Sequence, residues 1–303
     1  MYKNFDEIME KALGLKEKRT ISIAAAADEK IIQVTKKIKE MNLCNVILVD
    51  DQRKIESMAE KEGLDLSGVT VLDAPDLTTA ALTAVKQVSN GKADVFVKGR
   101  LNTSDFLKAV LNKEVGLKAS KVLSVMMAYD VPSVEKLFFI SDGGMVIAPD
   151  LEEKVEILKN SISVLHNMGI KEPKVALLSA NEKVSEKMQS SVDADAICKM
   201  ALEGKMPKAI YEGPIAFDVA MKPQAAKVKG IDSKITGDVD LFLVPNIECG
   251  NCLGKSIGYF GNGQSAGMVI GAAKPVVMTS RATTVKGKLT SIAWALLACK
   301  ENK

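Results

Sequence analysis

A single histidine, His166, serves this chain of 303 residues, and only four arginines (Arg19, Arg53, Arg100 and Arg281) occur among its 41 basic residues. His166 sits in a helical pattern just before Met168-Gly169, as a helix-end surface residue would. A lone histidine so placed disfavours a Ser-His-Asp triad and excludes an HExxH zinc site. Cysteine is sparse and odd in number: Cys44, Cys198, Cys249, Cys252 and Cys299. With no secretory leader, that predicts free thiols in a reducing compartment. Cys249-Gly-Asn-Cys252 has redox-motif spacing but no second pair and no neighbouring histidine, so the sequence predicts no metal there. Neither GxGxxG nor GxxxxGK[ST] occurs, so the usual nucleotide cradles are missing. The net charge is only +3 and the lysines are scattered, which implies no nucleic-acid footprint. The longest apolar stretch, residues 267–278, is interrupted by Lys274-Pro275 and is too short to span a bilayer. The N-terminus mixes acids with lysines and has no apolar leader core, so the expectation is a cytoplasmic protein with no membrane partner.

The scarcity of arginine gives weight to where it does occur. Arg100 lies in VKGR and Arg281 in TSR, both at points where a buried strand pattern turns into a helix pattern. A planar fork that grips phosphate or carboxylate through two N–H groups is not replaced by lysine, the residue used almost everywhere else in this chain. Arg19 and Arg53 read as surface residues. The stretch VVMTSRATT is the most informative: a strand over 276–278, a polar tip Thr279-Ser280-Arg281, then a helix with Leu289, Ile292, Ala293 and Leu296 on one face. Ser280 and Thr284 are both N-cap candidates.

Strand and helix patterns alternate along the rest of the chain. An amphipathic first helix places Phe5, Ile8, Met9 and Leu13 together. Strands are predicted at 20–25, 45–49, 69–72, 93–97, 122–128, 136–140, 174–179, 209–211, 241–244 and 268–270. Helices are predicted at 28–41, 77–88, 105–111, 150–168, 186–202 and about 254–260. This alternation implies an α/β protein with largely parallel sheets, and the length and strand number favour two domains. Hydrophobic and charged contents of 47% and 26% suit a soluble globular protein. Six polar tips follow strands: KGRLNTS, SDGGM, SANE, EGPIAFD, PNIECGN and TSRATT. In open α/β sheets, such tips carry ligands because backbone N–H groups and helix dipoles point there.

The segments VKGRLNTSDFLKAVL, FFISDGGMVIAPDL, EGPIAFDVAM, LVPNIECGNCLGKSIGYF and VVMTSRATT, in this order, resemble the phosphate acetyl/butyryltransferase family over essentially the whole chain. The resemblance implies a two-domain fold similar to isopropylmalate dehydrogenase, with an interdomain cleft. It divides the chain into residues 1–141 with 286–303, and residues 142–285. The implied reaction converts acyl-CoA and phosphate to acyl phosphate and CoA in a ternary complex, with butyryl favoured. No metal or other cofactor is implied, coenzyme A being a substrate, and a homodimer or larger homo-oligomer is expected. Ser280 and Arg281 become the central pair, Ser280 toward the thiol or the developing oxyanion and Arg281 toward the phosphate. Arg100, Thr103, Ser141, Asp142, Gly213, Pro214, Asn246, Gly250 and Asn251 are the implied substrate-binding residues, with Glu248 as a catalytic candidate.

One departure stands out. Acetyltransferases of the family carry an aspartate shortly after the Ser-Arg pair as a proposed acceptor of the thiol proton. This chain reads Ala-Thr-Thr-Val-Lys-Gly-Lys there. Two readings follow. In one, Lys286, Lys288, Arg281 and the final helix's N-terminus lower the thiol pKa by their positive field. In the other, Glu248 or Asp218 takes the proton. A phosphate acetyltransferase and a non-catalytic acyl-CoA or acyl-phosphate binding protein are the alternatives. A nicotinamide-dependent hydroxyacid dehydrogenase would need a cluster of metal-binding aspartates that is not seen after residue 200.

Overall fold

The structure is a computed structural model, and it describes residues 2–280 and 282–300. The chain forms two compact units: residues 4–120 with 266–303 (the terminal unit), and residues 121–265 with the first three residues (the central unit).

The terminal unit opens with α1 (Phe5–Leu13), capped by Asn4, whose side chain accepts the Glu7 N–H. Its buried residues are Phe5, Ile8 and Ala12; Leu13, expected inside, is 44% exposed. Then β1 (Thr20–Ala24), α2 (Glu29–Met41), β2 (Asn45–Asp50), α3 (Gln52–Glu62), β3 (Thr70–Asp73), α4 (Leu77–Ser89), β4 (Val95–Lys98) and α5 (Thr103–Val110) alternate. Asp28, Asp51 and Asp76 cap α2, α3 and α4 through their carboxylates. Helix α3 has no counterpart in the sequence reading. It buries only Ile55 and Ala59, so its apolar face is too sparse to announce itself. Strands β3, β2, β1 and β4 lie in that order and pair in parallel.

In the central unit, β5 (Ser124–Asp130) and β6 (Phe138–Ser141) form an antiparallel pair. Helix α6 (Leu151–Asn167) starts with a capping box: Asp150 accepts the Glu153 N–H, and Glu153 accepts the Asp150 N–H. Pro149 immediately precedes the cap. Strand β7 (Lys174–Leu178), α7 (Gln189–Leu202), β8 (Ile210–Ile215), the short α8 (Phe217–Met221) and α9 (Pro223–Lys229), β9 (Leu241–Leu243) and α10 (Ile247–Phe260) follow. Strand order here is β5-β6-β9-β7-β8, parallel from β6 onward. The core behind it includes Phe138, Ile140, Phe242, Val219 and Ile235.

The chain then completes the terminal unit with β10 (Gln264–Ile270), β11 (Val276–Val277) and α11 (Val285–Ala298). Strand β11 pairs in parallel with β4 and antiparallel with β10. Thr284 caps α11 by accepting the Gly287 N–H at 3.1 Å. The expected one-sided helix is instead buried all round from Lys288 to Ala298, with Trp294 at its centre. Each large apolar side chain so enclosed contributes about 1.5–3 kcal/mol, which fixes α11 firmly against α1 and α2.

The class is α/β with mostly parallel strands, as expected. The boundaries drawn from sequence, 141/142 and 285/286, differ from those of the two units, 120/121 and 265/266. Pairing explains the difference. Met126 lies opposite Ser141, so β5 goes with β6. Val276 and Val277 lie opposite Phe96 and Val97, so β11 and its flanks go with β4. Among the described residues, no helix is long and apolar enough to cross a membrane.

Candidate active site

In the terminal unit the strand order turns at β1 and β4, the position where open α/β sheets place their ligands. The end of β1 runs into four consecutive alanines. Ala25 adopts a left-handed φ of 55°. Gly99 packs so closely on this turn that a Cβ would overlap the Ala25 carbonyl oxygen. The N–H groups of Gly99 and Arg100 donate to the carbonyls of Ala24 and Ala25, each at 2.8 Å. The first turn of α2 is already capped by Asp28, which accepts the Ile31 N–H at 3.3 Å. A carboxylate and alanine methyl groups thus stand where a dinucleotide fold presents bare N–H groups and glycine.

The tip after β11 is built differently. Ser280 is exposed; its Oγ accepts the Ala282 N–H at 3.3 Å and its carbonyl accepts the Thr283 N–H at 3.1 Å. Lys288 reaches back from the first turn of α11 and donates to Thr279 Oγ1 at 2.8 Å. Lys30 of α2 donates to the Thr283 carbonyl at 3.3 Å. Lys98, the last residue of β4, is buried. The Lys288 ammonium is pushed below the usual lysine range, first by burial and then by Lys98 and Lys30, with Asp28 opposing. Arg281 lies outside the described residues. Arg100 is exposed on the β4–α5 connection and Thr103 is exposed at the first position of α5, with Asn102 at the N-cap position.

In the central unit, the SDGG and PNIECGN tips meet. Asn246 caps α10 by accepting the Cys249 N–H at 3.0 Å, so Glu248, Gly250 and Asn251 belong to the first turns of a helix rather than to a loop. Gly250 packs on Gly143, and Asn251 Nδ2 donates to the Gly143 carbonyl at 3.3 Å. Glu248 and Asn251 are exposed.

A family model described as Phosphate acetyl/butaryl transferase matches residues 4–80 and 75–296. The chain belongs to this family. It is 39% identical over 297 residues to a phosphate butyryltransferase of Clostridium acetobutylicum, covering 98% of each chain. It is 38% identical over 303 residues to a phosphate butyryltransferase of Clostridium beijerinckii, covering 100% of both. The crystal structure of a branched-chain phosphotransacylase from Enterococcus faecalis V583 is similar with a TM-score of 0.82 and 32% identity, over 92% of this chain and 98% of that one.

Within this family member, several residues singled out in the sequence turn inward. Ser141 is buried and its Oγ donates to the Val125 carbonyl at 3.0 Å. Asp142 is 2% exposed and accepts N–H groups from Val125 (2.9 Å), Gly144 (2.6 Å), Met145 (3.0 Å) and Val146 (3.2 Å). Burial pushes its carboxyl up despite those four donors. Both side chains are committed to shaping the SDGG turn. Gly213 and Pro214 lie inside β8 rather than beyond its end, two strands from β9 in the order β9-β7-β8, and Gly213 is packed against Leu177 and Ala194. Asp218 is 59% exposed and pairs with Lys229 at 3.3 Å.

The remaining polar candidates resolve simply. Arg19, read as a surface residue, is 7% exposed; it pairs with Asp94 at 3.5 Å and donates to the Lys300 carbonyl at 3.1 Å. All five cysteines are free. Burial pushes Cys44 and Cys299 up to about 12 and Cys198 up to about 11, so these are inert thiols. His166 is half-buried and its Nε2 lies 2.9 Å from the Lys208 carbonyl oxygen. The sequence reading treated Lys288 only as a contributor to a diffuse field and passed over Lys98. The available signal was a lysine among the helix positions 288–298, where a packed face leaves no room for a solvated charge.

Proposed function

We propose that this protein exchanges phosphate and coenzyme A on a short acyl group, with butyryl favoured over acetyl. The observation that carries this reading is the end-to-end similarity, at 38–39% identity, to two phosphate butyryltransferases. In the direction from acyl phosphate, the CoA thiol loses its proton and its sulfur attacks the acyl carbonyl. The tetrahedral intermediate then collapses with cleavage of the carbon–oxygen bond to phosphate. Nothing is oxidised or reduced, so the chemistry asks for positioning and anion stabilisation rather than a redox group.

Ser280, exposed at the tip after β11, donates its hydroxyl to the sulfur or to the developing oxyanion. Arg281 beside it holds the transferring phosphate through two N–H groups. Arg100 and Thr103 offer a second guanidinium and a hydroxyl to anionic groups of the substrates. Asn246, Gly250 and Asn251 shape the face of α10 turned to substrate, and Glu248 on the same turn has the exposure a proton acceptor needs. Asp218 suits that role less well, because its carboxylate is paired with Lys229.

The test is thiol release from butyryl-CoA on addition of phosphate, compared with acetyl-CoA, before and after EDTA treatment. The expected result is phosphate-dependent release, faster with butyryl-CoA and unchanged by the chelator. No release from any acyl-CoA of two to five carbons would overturn the reading. A preference for acetyl-CoA would make the protein a phosphate acetyltransferase instead.

A further inference from the structure

Tyr259 and Phe260, the last two residues of α10, are 83% and 88% exposed. Large rings are scarce in this chain, which has eight phenylalanines, four tyrosines and one tryptophan. Six of the other phenylalanines are buried, and the seventh, Phe217, rests on Phe242 with ring centroids 5.5 Å apart. The helix explains why Tyr259 turns outward. Cys249, Leu253 and Ile257, at successive turns, pack against the core of the central unit. The remaining face carries Cys252, Lys255, Ser256 and Tyr259, all exposed, and Phe260 adjoins it at the helix end. Asn262, Gln264 and Ser265 continue the exposed surface. Charge sets this surface apart. Between Glu248 and Lys274 the sequence holds a single charged residue, Lys255, in a chain that is 26% charged. Leu202, Val228 and Val184 are exposed too, but each stands singly among ions: Leu202 beside Glu203, Val228 between Lys227 and Lys229, Val184 beside Lys183.

We propose that the C-terminal half of α10, centred on Tyr259 and Phe260, is the face on which two copies of this chain pair about a two-fold axis. Around such an axis a surface meets itself, so every charge beside the axis faces its own sign. A face of rings, hydroxyls and amides avoids that repulsion. A partner of opposite charge would find only Lys255 to grip, and the same lack of basic residues disfavours a lipid surface. Aromatic side chains with few charges are what the buried centre of an interface between proteins shows. The area suits a stable pair. Two rings of this size bury about 150–250 Å² each, together roughly half of the ~800 Å² that one partner brings to an interface of standard size. Cys252, Ser256, the Lys255 stem and residues 262–265 supply the rest.

The experiment measures the mass of the full chain in solution by light scattering and sedimentation equilibrium over a range of concentrations. Wild type should have twice the mass of one chain, or an even multiple of it. The double variant Tyr259→Glu, Phe260→Glu should have half the wild-type mass, its dissociation constant raised by about a hundredfold or more through the loss of two aromatic anchors. Both positions are exposed, so its far-ultraviolet spectrum should match that of wild type; if it does not, Phe260→Glu alone is read in its place. Leu202→Glu, as exposed on α7, should leave the mass unchanged. Mixing the glutamate variant with Tyr259→Lys, Phe260→Lys should restore the wild-type mass, since opposite charges then meet across the axis. A monomeric wild type overturns the proposal. So does a wild-type mass retained in the glutamate variant, or a mixture that stays dissociated. Dissociation by Leu202→Glu also overturns it, because any added charge would then break the assembly. A raised KM for butyryl-CoA in the glutamate variant at unchanged mass would assign the two rings to coenzyme A instead.

Discussion

Gly143 and Gly250 pack backbone against backbone: a Cβ on Gly250 would come within 2.6 Å of Gly143 Cα, and one on Gly143 within 2.7 Å of the Gly250 carbonyl carbon. This contact joins the turn after β6 to the first turn of α10 and lets Asn251 reach the Gly143 carbonyl. Gly258, two turns further along the same helix, has nothing nearer to such a Cβ than the Gly263 oxygen at 3.9 Å. Alanine in a helix gains about 1 kcal/mol over glycine, whereas overpacking costs about 1–3 kcal/mol. Gly258→Ala should therefore raise stability slightly. Gly250→Ala should lower it by up to about 2 kcal/mol, the balance of those two terms, and should reduce activity as well. Urea unfolding of the two variants checks the pair; equal stabilities would show that the contact does not constrain the fold.

The depressed basicity of Lys288 has a sign that can be read in stability. Its folded-state pKa lies below the unfolded value. The group therefore favours the folded state fully only above the unfolded value of about 10.4, and that contribution is lost as pH falls through the folded value. Below the folded value the wild-type protein carries the full penalty of a buried ammonium. Lys288→Met should accordingly equal or exceed wild type in Tm, and its advantage should shrink as pH rises into the lysine range. An advantage that grows with pH would contradict the lowered basicity of Lys288.

Arg281→Lys keeps the charge and loses the fork. Removal of one well-placed transition-state donor costs about 3–4 kcal/mol, some two to three decades in rate. The expected outcome is a fall of that order in kcat/KM for phosphate, measured by thiol release. A lysine variant within about threefold of wild type would show that charge alone suffices at this position.

With no acid in the stretch from Ala282 to Lys288, the thiol proton has two routes. A free thiol near 8.5 needs a shift of only about 1.5 units, or about 2 kcal/mol, to be largely ionised at neutral pH. Lys288, Lys286 and the start of α11 form a positive field of the right sign for that. On this view, Glu248→Gln and Asp218→Asn both keep the wild-type alkaline rise in kcat/KM for acyl phosphate with CoA. A loss of two or more decades at neutral pH in Glu248→Gln, recovering toward the thiol pKa, would instead make Glu248 the base. The ion pair of Asp218 with Lys229 predicts the smaller effect for Asp218→Asn.

Much of the backbone plan was legible in the amino-acid order because its causes are local. Asp28 and Thr284 announce helix starts by side chains that reach N–H groups three residues away, and the Asp150/Glu153 box does the same for α6. Runs such as Val95–Val97 and Leu241–Leu243 read as strands because a buried parallel strand is apolar on both faces. Family membership was also visible, since the motifs around Asn246 and Ser280 are contiguous. What the linear pattern left open depends on partners distant in sequence. Whether Ser141 and Asp142 face a substrate or hold a turn depends on Val125, which pairing with β5 brings beside them. Whether Gly213-Pro214 ends a strand or continues it depends on the register with β7. Lys288 looks like any surface lysine until α1, α2 and β4 close around α11. Desolvation is a property of the assembled packing, and only that packing turns an ordinary lysine into a buried cation.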